Sequence, residues 1–276
     1  MPELPEVETV VRQLREQLVG RRVESAKVLW ERTVARPSLA AFRRGIRGRE
    51  ISGLRRRAKY IVFELDGGEA SPGGRLLVGH LRMTGRFFVG DDPEPRATRV
   101  SFRLDDGRFL AFADIRKFGR LALGPRLDAL TPPLGPEPLS DDFDGEWLAT
   151  ALRARRRQLK PLLLDQSFLA GLGNIYVDEA LHLAGLHPLR SSDRVSKPRA
   201  RRLAESIQAV LRRAIELQGS SFDTFYRTPE GQPGNYQHEF QVYGRHGKPC
   251  RSCGKPLRRI VVGQRGTHYC PRCQRA

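Results

Sequence analysis

A chain of 276 residues has room for one large domain or two ordinary ones, and a hydrophobic content of 39% makes a packed core feasible. Against 31 Asp and Glu stand 49 Lys and Arg, a formal +18 that points to a polyanionic partner, nucleic acid first. No apolar run approaches bilayer length, and the start lacks the basic-then-apolar order of a secretory signal, so the expectation is a soluble cytoplasmic chain and not a membrane or exported one.

The first ten residues, MPELPEVETV, crowd two prolines and three carboxylates together. From Pro5 to Leu18 the pattern predicts a helix. Val7, Val10, Val11, Leu14 and Leu18 form one apolar stripe. Pro5 suits the first turn, Glu6 and Glu8 favour the positive end of the helix dipole, and Gly20 can end it. Pro2 and Glu3 lie before this helix and need another reason.

From Arg22 to about Leu123 the pattern turns to strands. KYIVFEL, RLLVGHL, RFFV, VSFRL, RFLAFA and GRLAL are short, rich in β-branched or aromatic residues, and punctuated by turns such as LDGGE and LDDGR. Many short strands of this kind predict an antiparallel sandwich or barrel. LTPPLGPEPLSDDFDG reads as a linker. EWLATALRARRR, NIYVDEALHLAG and KPRARRLAESIQAVLRRAIELQG then carry helical spacing. In the last of these, Leu203, Ile207, Val210, Leu211, Ala214 and Leu217 form the stripe, with Ser196 as cap and Gly219 as stop. A loop, SSFDTFYRTPEGQPGNY, has little apolar periodicity, and its length points to function or mobility.

The four cysteines close the chain as CRSC and CPRC, with sixteen residues between the pairs. Two such knuckles predict one four-thiolate zinc site at Cys250, Cys253, Cys270 and Cys273. Two short disulfides are the weaker reading in a reducing cytoplasm. Four protein ligands leave no place for a metal-bound water, so the zinc is expected to be structural. From Val242 to Ala276 there are nine Lys or Arg and no Asp or Glu, the balance of a DNA-gripping module.

Pro2 has a chemical reading. Initiator methionine is commonly removed before proline, which leaves a secondary α-amine. An α-amine titrates at about 7.7–8.0, so roughly a tenth is unprotonated at neutral pH, against under a thousandth for lysine. Such an amine can attack a sugar C1′ and form an iminium, with the adjacent Glu3 donating or taking protons.

MPELPEVE, RRAKY, HLRMTG, RKFG, LGPEPLSDDF, GLGNIY and the ending VYGRHGKPC through GQRGTHYCPRC resemble the bacterial formamidopyrimidine-DNA glycosylase (8-oxoguanine DNA glycosylase) family, in the family's order over nearly the whole chain. The related endonuclease VIII branch usually begins with PEG, and Leu4 favours the formamidopyrimidine branch.

The resemblance implies an α+β fold: an N-terminal helix with an antiparallel β-sandwich (1–130), a linker (131–145), a helix–two-turn–helix domain with a lesion loop (146–236) and a zinc β-hairpin (237–276). It implies excision of oxidised purines from double-stranded DNA, then strand cleavage by β,δ-elimination, by a cytoplasmic, nucleoid-associated monomer with DNA in a basic cleft. It casts Pro2 as nucleophile, Glu3 as the acid that opens the deoxyribose, Lys59 as phosphate contact and proton donor, and Arg265 as the phosphate grip of δ-elimination. Asn174, before a helix start that itself suits phosphate, becomes a phosphate ligand. Met83, Arg116 and Phe118 become the wedge that fills the stack when a base is everted. The loop from Ser220 to Tyr236 would cover that base. His80, Arg99 and Arg156 are further DNA contacts, and Tyr243 reads equally as a phosphate contact or a packed tyrosine. Arg82 and Lys117 depart from the family, which often has a small residue and Arg there. An oxidised-pyrimidine glycosylase and a non-catalytic zinc-ribbon binder of damaged DNA are the alternatives.

Overall fold

The computed structural model describes residues 1–67, 75–222 and 226–275. The chain divides into two compact units, Met1–Pro132 with Gln218–Gly234, and Pro133–Leu217 with Asn235–Ala276. The segment after the long helix therefore belongs to the first unit and not to the helices it follows.

The first unit starts with helix α1 (Leu4–Leu18), capped by a reciprocal box between Glu3 and Glu6. Its stripe of Val7, Val10, Val11, Leu14 and Leu18 lies wholly within the apolar core. Burial of each such side chain contributes roughly 1.5–3 kcal/mol. The strands are β1 (Arg22–Val28), β2 (Val34–Arg36), β3 (Arg49–Arg57), β4 (Tyr60–Asp66), β5 (Arg75–His80), β6 (Gly85–Gly90), β7 (Thr98–Leu104), β8 (Phe109–Asp114) and β9 (Arg120–Gly124). Between β2 and β3 lies a helix that the strand-like pattern concealed, α2 (Leu39–Ile46), capped by Ser38 and burying Phe42 and Ile46.

The strands join in one sheet of order β2-β9-β5-β4-β3-β1-β7-β8-β6. All pairs are antiparallel except β2 with β9, which run parallel. The sheet folds over itself into two layers. Phe87 on β6 packs its ring 5.4 Å from that of Phe63 on β4, although four strands separate them in the ladder. A side chain at Gly79 on β5 would come within 3.2 Å of the Phe87 ring, so the layers meet closely there. The LDDGR turn joins β7 to β8 as expected, with Gly107 at φ +88°. The LDGGE turn lies partly outside the described residues.

This order also places the segments that carry the expected wedge residues. β5 pairs with β9, and β6 pairs with β8. The connections β5–β6 and β8–β9 therefore both step from one strand pair to the other, at the same end. They are not hairpin turns but crossings forced to lie side by side.

The second unit holds α3 (Gly145–Arg153), α4 (Leu159–Leu164), α5 (Asn174–Ala184), α6 (Lys197–Glu216) and the hairpin β10 (Arg258–Val262) with β11 (Arg265–Tyr269). The short α4 lies in a stretch that the sequence pattern left unassigned. α6 follows Ser196 and buries Leu203, Ile207, Val210, Leu211 and Ala214. Leu217 serves as its C-cap. No described helix is long and apolar enough to cross a membrane.

Candidate active site and nucleic-acid interface

Pro2 and Glu3 are buried at the start of α1, with Glu3 only 3% exposed. Glu6, read from sequence only as a dipole-favouring residue, does more. Its Oε2 accepts the Glu3 N–H at 2.8 Å, and its Oε1 accepts the Ser220 N–H at 2.7 Å. Gly219 stands at φ +78°, and a Cβ there would lie 2.8 Å from the Glu6 side chain. Tyr226 donates its hydroxyl to the Glu6 carbonyl at 3.4 Å. One buried carboxylate thus joins the residue after the candidate nucleophile to the loop expected to cover the base. Residues 223–225 of that loop lie outside the described residues.

Lys59 sits in the two-residue turn between β3 and β4, where Arg57 pairs with Tyr60. Ala58 takes φ +53°, a left-handed conformation costly for alanine. Arg56 holds this turn from both sides. It donates to the Ala58 carbonyl at 3.1 Å and to Glu8 on α1 at 3.0 Å. Burial alone would raise the Glu8 carboxyl, but Arg12 and Arg56 together hold it below its usual range.

Burial, then Arg82, then Lys59 push His80 down to about 3. Its Nδ1 accepts the Arg82 N–H at 3.0 Å, so its proton stays on Nε2. His80 is thus a neutral N–H donor in a cationic patch, suited to a phosphate oxygen. The unfolded state gains a proton on acidification that the folded state resists, so this group withdraws stability as pH falls from about 6.5 towards 3. NMR titration of its ring is expected to show no step between about pH 5 and pH 8; a step near the ordinary histidine value of about 6.5 would refute the assignment.

The three residues expected to form the wedge are already together. Arg116 lies over the Phe118 ring at 4.8 Å and reaches the Met83 sulfur at 3.0 Å. Met83 is 37% and Phe118 47% exposed, where core side chains would be covered. Ile115, passed over in the sequence, is 62% exposed on the same turn. Lys117 sits 4.0 Å from the centre of the Trp30 ring, which its ammonium suits as well as an arginine would. Arg99 donates to the Asp114 carbonyl at 2.8 Å, beneath that turn.

In the second unit Asn174 is the first residue of α5, with Gly173 in the capping position. Its side chain does not cap the helix. It donates to the Gly266 carbonyl at 3.1 Å and to the Tyr243 hydroxyl at 3.4 Å. Tyr243 packs edge-on to Phe240 and His268, as the packed reading expects, while its hydroxyl accepts from Asn174. Arg265 is exposed at the hairpin tip, beyond a two-residue turn whose Gly263 and Gln264 both have positive φ. Arg156 is exposed before α4.

Sequence reasoning missed what holds this group. Lys160 and Asp178, both fully buried, pair at 2.6 Å. Lys160 also donates to the Gly266 carbonyl at 3.1 Å, and Asp178 accepts the His268 N–H at 2.8 Å. Asn174 and Lys160 therefore grip the same carbonyl, next to Arg265. Glu179 on α5 accepts the N–H groups of Gln241, Val242 and Tyr243 at 2.8, 3.0 and 2.8 Å. Burial pushes its carboxyl up despite these bonds. The signal that could have found them was three acidic or basic residues within helical stretches of high apolar content, a pattern that buries charge only when it is paired.

The sulfur atoms of Cys250, Cys253, Cys270 and Cys273 lie within 4.8 Å of one another. A tetrahedron with Zn–S bonds of about 2.3 Å requires S···S of about 3.8 Å. The separations of 3.4 Å for Cys253 with Cys270 and 4.0 Å for Cys250 with Cys273 bracket that value. Burial, then the neighbouring thiols, push the Cys273 thiol up, a repulsion that a dication removes. The donor set fits one structural Zn²⁺, held by all four thiolates. His182 Nε2 lies 3.6 Å from the Cys250 sulfur and links the site to α5.

Comparison with known proteins agrees with this arrangement. The formamidopyrimidine-DNA glycosylase N-terminal domain matches residues 1–121, the H2TH domain of the same glycosylase matches 134–226, and a zinc finger found in FPG and IleRS matches 247–276. The formamidopyrimidine-DNA glycosylase of Herpetosiphon aurantiacus is 48% identical over 99% of this chain and all of its own. The Lactococcus lactis Fpg (MutM) in complex with DNA containing N7-benzyl-Fapy-dG is 38% identical, with a TM-score of 0.89 over all of both chains. The same enzyme in complex with abasic-site DNA is 37% identical, with a TM-score of 0.89 over 99% of this chain and all of that one. Matches of this identity, running from end to end through both units and the cysteine cluster, make the chain a member of the formamidopyrimidine-DNA glycosylase family.

Proposed function

We propose that the chain removes oxidised purines, 8-oxoguanine and formamidopyrimidines, from duplex DNA and then nicks the strand as an abasic-site lyase. The observation that carries the reading is a buried Pro2–Glu3 start, secured by Glu6, in a chain that matches formamidopyrimidine-DNA glycosylases over their full length. The +18 charge suits the duplex. Such a substrate implies work at the nucleoid in the cytoplasm, as a monomer.

Once Met1 is removed, the Pro2 nitrogen carries a lone pair. It forms a bond to C1′ as the C1′–base bond breaks; the base leaves with the pair of that broken bond and takes a proton from solvent, and the amine N–H proton passes to the Glu3 carboxylate. Glu3 gives a proton to O4′ as the sugar ring opens, leaving an iminium on C1′. Loss of a C2′ proton sends electrons toward the iminium and expels the 3′ phosphate. A second elimination expels the 5′ phosphate, and water releases the sugar remnant and restores the amine. Lys59 and Arg265 hold the phosphates, Lys59 also serves as proton donor in elimination, and Asn174, Tyr243 and His80 are further phosphate donors. Arg156 is an outlying contact, and Arg99 reaches DNA only through the turn it supports.

Met83 and Phe118 fill the gap left by the everted base, and Arg116 meets the orphaned partner. An always-charged donor favours cytosine, whose O2 and N3 are both acceptors. Single-turnover excision should be faster on 8-oxoguanine than on thymine glycol, and faster opposite C than opposite A. Arg116→Ala should narrow the C-over-A ratio about tenfold, in line with about 1–3 kcal/mol for a bidentate contact. Preference for thymine glycol would place the enzyme with oxidised-pyrimidine glycosylases. An unchanged ratio with both rates lowered equally would reduce Arg116 to a phosphate clamp.

A further inference from the structure

The wedge residues stand on two separate turns, and nothing in the sequence says what fixes one turn against the other. Asp114 lies at the end of β8 with 1% exposure, directly under four exposed residues, Ile115 to Phe118. Its carboxylate closes that turn from within. Oδ1 accepts the Arg116 N–H at 3.2 Å, and Oδ2 accepts the Gly119 N–H at 2.6 Å. The same Oδ1 accepts the hydroxyl of Thr84, which is itself 5% exposed and belongs to the Met83 turn. Thr84 in return accepts the Arg116 N–H at 3.2 Å. One buried carboxylate and one buried hydroxyl therefore join the two crossings through the backbone of Arg116.

Both turns need such a lock. Arg82, next to Met83, has φ +55°, and Lys117, between Arg116 and Phe118, has φ +61°. These left-handed conformations are unfavourable for residues with a Cβ and persist only where surroundings impose them. Space is also closed beneath the turn. A Cβ at Gly119 would stand 2.5 Å from the Phe112 ring and 3.1 Å from Asp114 Oδ2. The Arg99 guanidinium secures the Asp114 carbonyl at 2.8 Å, so this residue is held at both its main chain and its side chain.

We propose that Asp114, acting with Thr84, is a positioning residue that holds Met83, Arg116 and Phe118 as one rigid wedge before DNA binds. It touches neither the lesion nor the reacting atoms. Its contribution is preorganisation: without it the two strained turns relax separately, and the wedge must be assembled after encounter at the cost of the eversion step. The proposal rests on the wedge assignment made above.

The test is stopped-flow fluorescence of a duplex carrying 8-oxoguanine with 2-aminopurine as its neighbour, alongside single-turnover excision and cleavage of a preformed abasic site. Asp114→Asn keeps an acceptor for Thr84 and Arg116 but cannot also accept from Gly119, whereas Asp114→Ala and Thr84→Val remove the link between turns. The 2-aminopurine phase and the excision rate should fall in the order wild type, Asp114→Asn, Asp114→Ala, by about tenfold or more at the end, as expected for a misplaced wedge. Abasic-site cleavage, which has no base to evert, should fall much less. Thr84→Ser should restore Thr84→Val to near wild-type rates, which also serves if Asp114→Ala does not fold. Equal losses on lesion and abasic duplexes, or an unchanged 2-aminopurine phase in Asp114→Asn and Thr84→Val, would overturn the role of Asp114. Met83→Ala and Phe118→Ala separate the layers: if these leave the phase intact, the wedge assignment itself falls, and the positioning role with it.

Discussion

Pro2→Gly is expected to cut borohydride trapping of the enzyme on 8-oxoguanine duplex by about a hundredfold while leaving DNA affinity nearly unchanged. Affinity for duplex comes mostly from phosphate contacts, which lie elsewhere, so it should hold within about threefold. Trapping requires a nitrogen lone pair at C1′. The pyrrolidine ring fixes φ near the helix value and seats the amine at the buried mouth of α1, beside a Glu3 whose N–H is tied to Glu6. Glycine keeps an amine but loses the ring that aims it, and a misplacement of about 1 Å costs on the order of a hundredfold. A second preparation with Met1 retained turns the Pro2 nitrogen into an amide, whose lone pair is delocalised, and should not trap at all. Full trapping by the Met1-retaining protein would remove Pro2 from the mechanism.

Removal of zinc should be as severe, but through binding. Binding of structural zinc by thiolates is worth about 10–16 kcal/mol in small peptides, and that free energy is folding free energy. The hairpin's own apolar cluster is small, Val242, Leu257 and the ligands Cys250 and Cys270, and its strands otherwise lean on polar bonds from Lys160, Asn174 and Asp178. Cys253→Ser, or exhaustive chelation, should release the metal, unfold β10 and β11 and loosen the hold of Lys160 and Asn174 on the Gly266 carbonyl that positions Arg265. Duplex affinity should drop, and the slope of log Kd against log salt should flatten by about one for each phosphate that the protein no longer neutralises. Glycosylase and lyase rates at saturating enzyme should fall together with binding. If Cys253→Ser cuts damaged DNA normally at low enzyme concentration, the hairpin is not the grip.

How much of this was legible beforehand depends on the range of each signal. The stripe of α1 repeats at helical spacing within fifteen residues, and the core takes up that same face. The strands of β4 to β9 were visible as short alternating or apolar runs, while α2 was not: eight residues between strands give barely two turns of periodicity, and its Ser38 cap was the only clear sign. Asn174 reads from sequence as lying just before the helix and is instead its first residue, because a glycine in the capping position carries no side chain to recognise.

By itself the sequence determined the helix that begins the chain, the four thiolates of one metal site and the amine chemistry available at Pro2. Each of these depends on residues close along the chain, or on a ligand spacing that only one metal geometry satisfies. Ladder order was decided only by tertiary structure, because pairing β5 with β9 and β6 with β8 closes loops whose energetics no local pattern encodes. From that pairing comes the adjacency of the Met83 and Phe118 turns, and with it the bond between Thr84 and Asp114, thirty residues apart. The same holds for Glu6 with Ser220 and for Lys160 with Asp178: a polar side chain shows its type in the sequence, but its partner is chosen by burial, where an unpaired charge or N–H is too costly to leave.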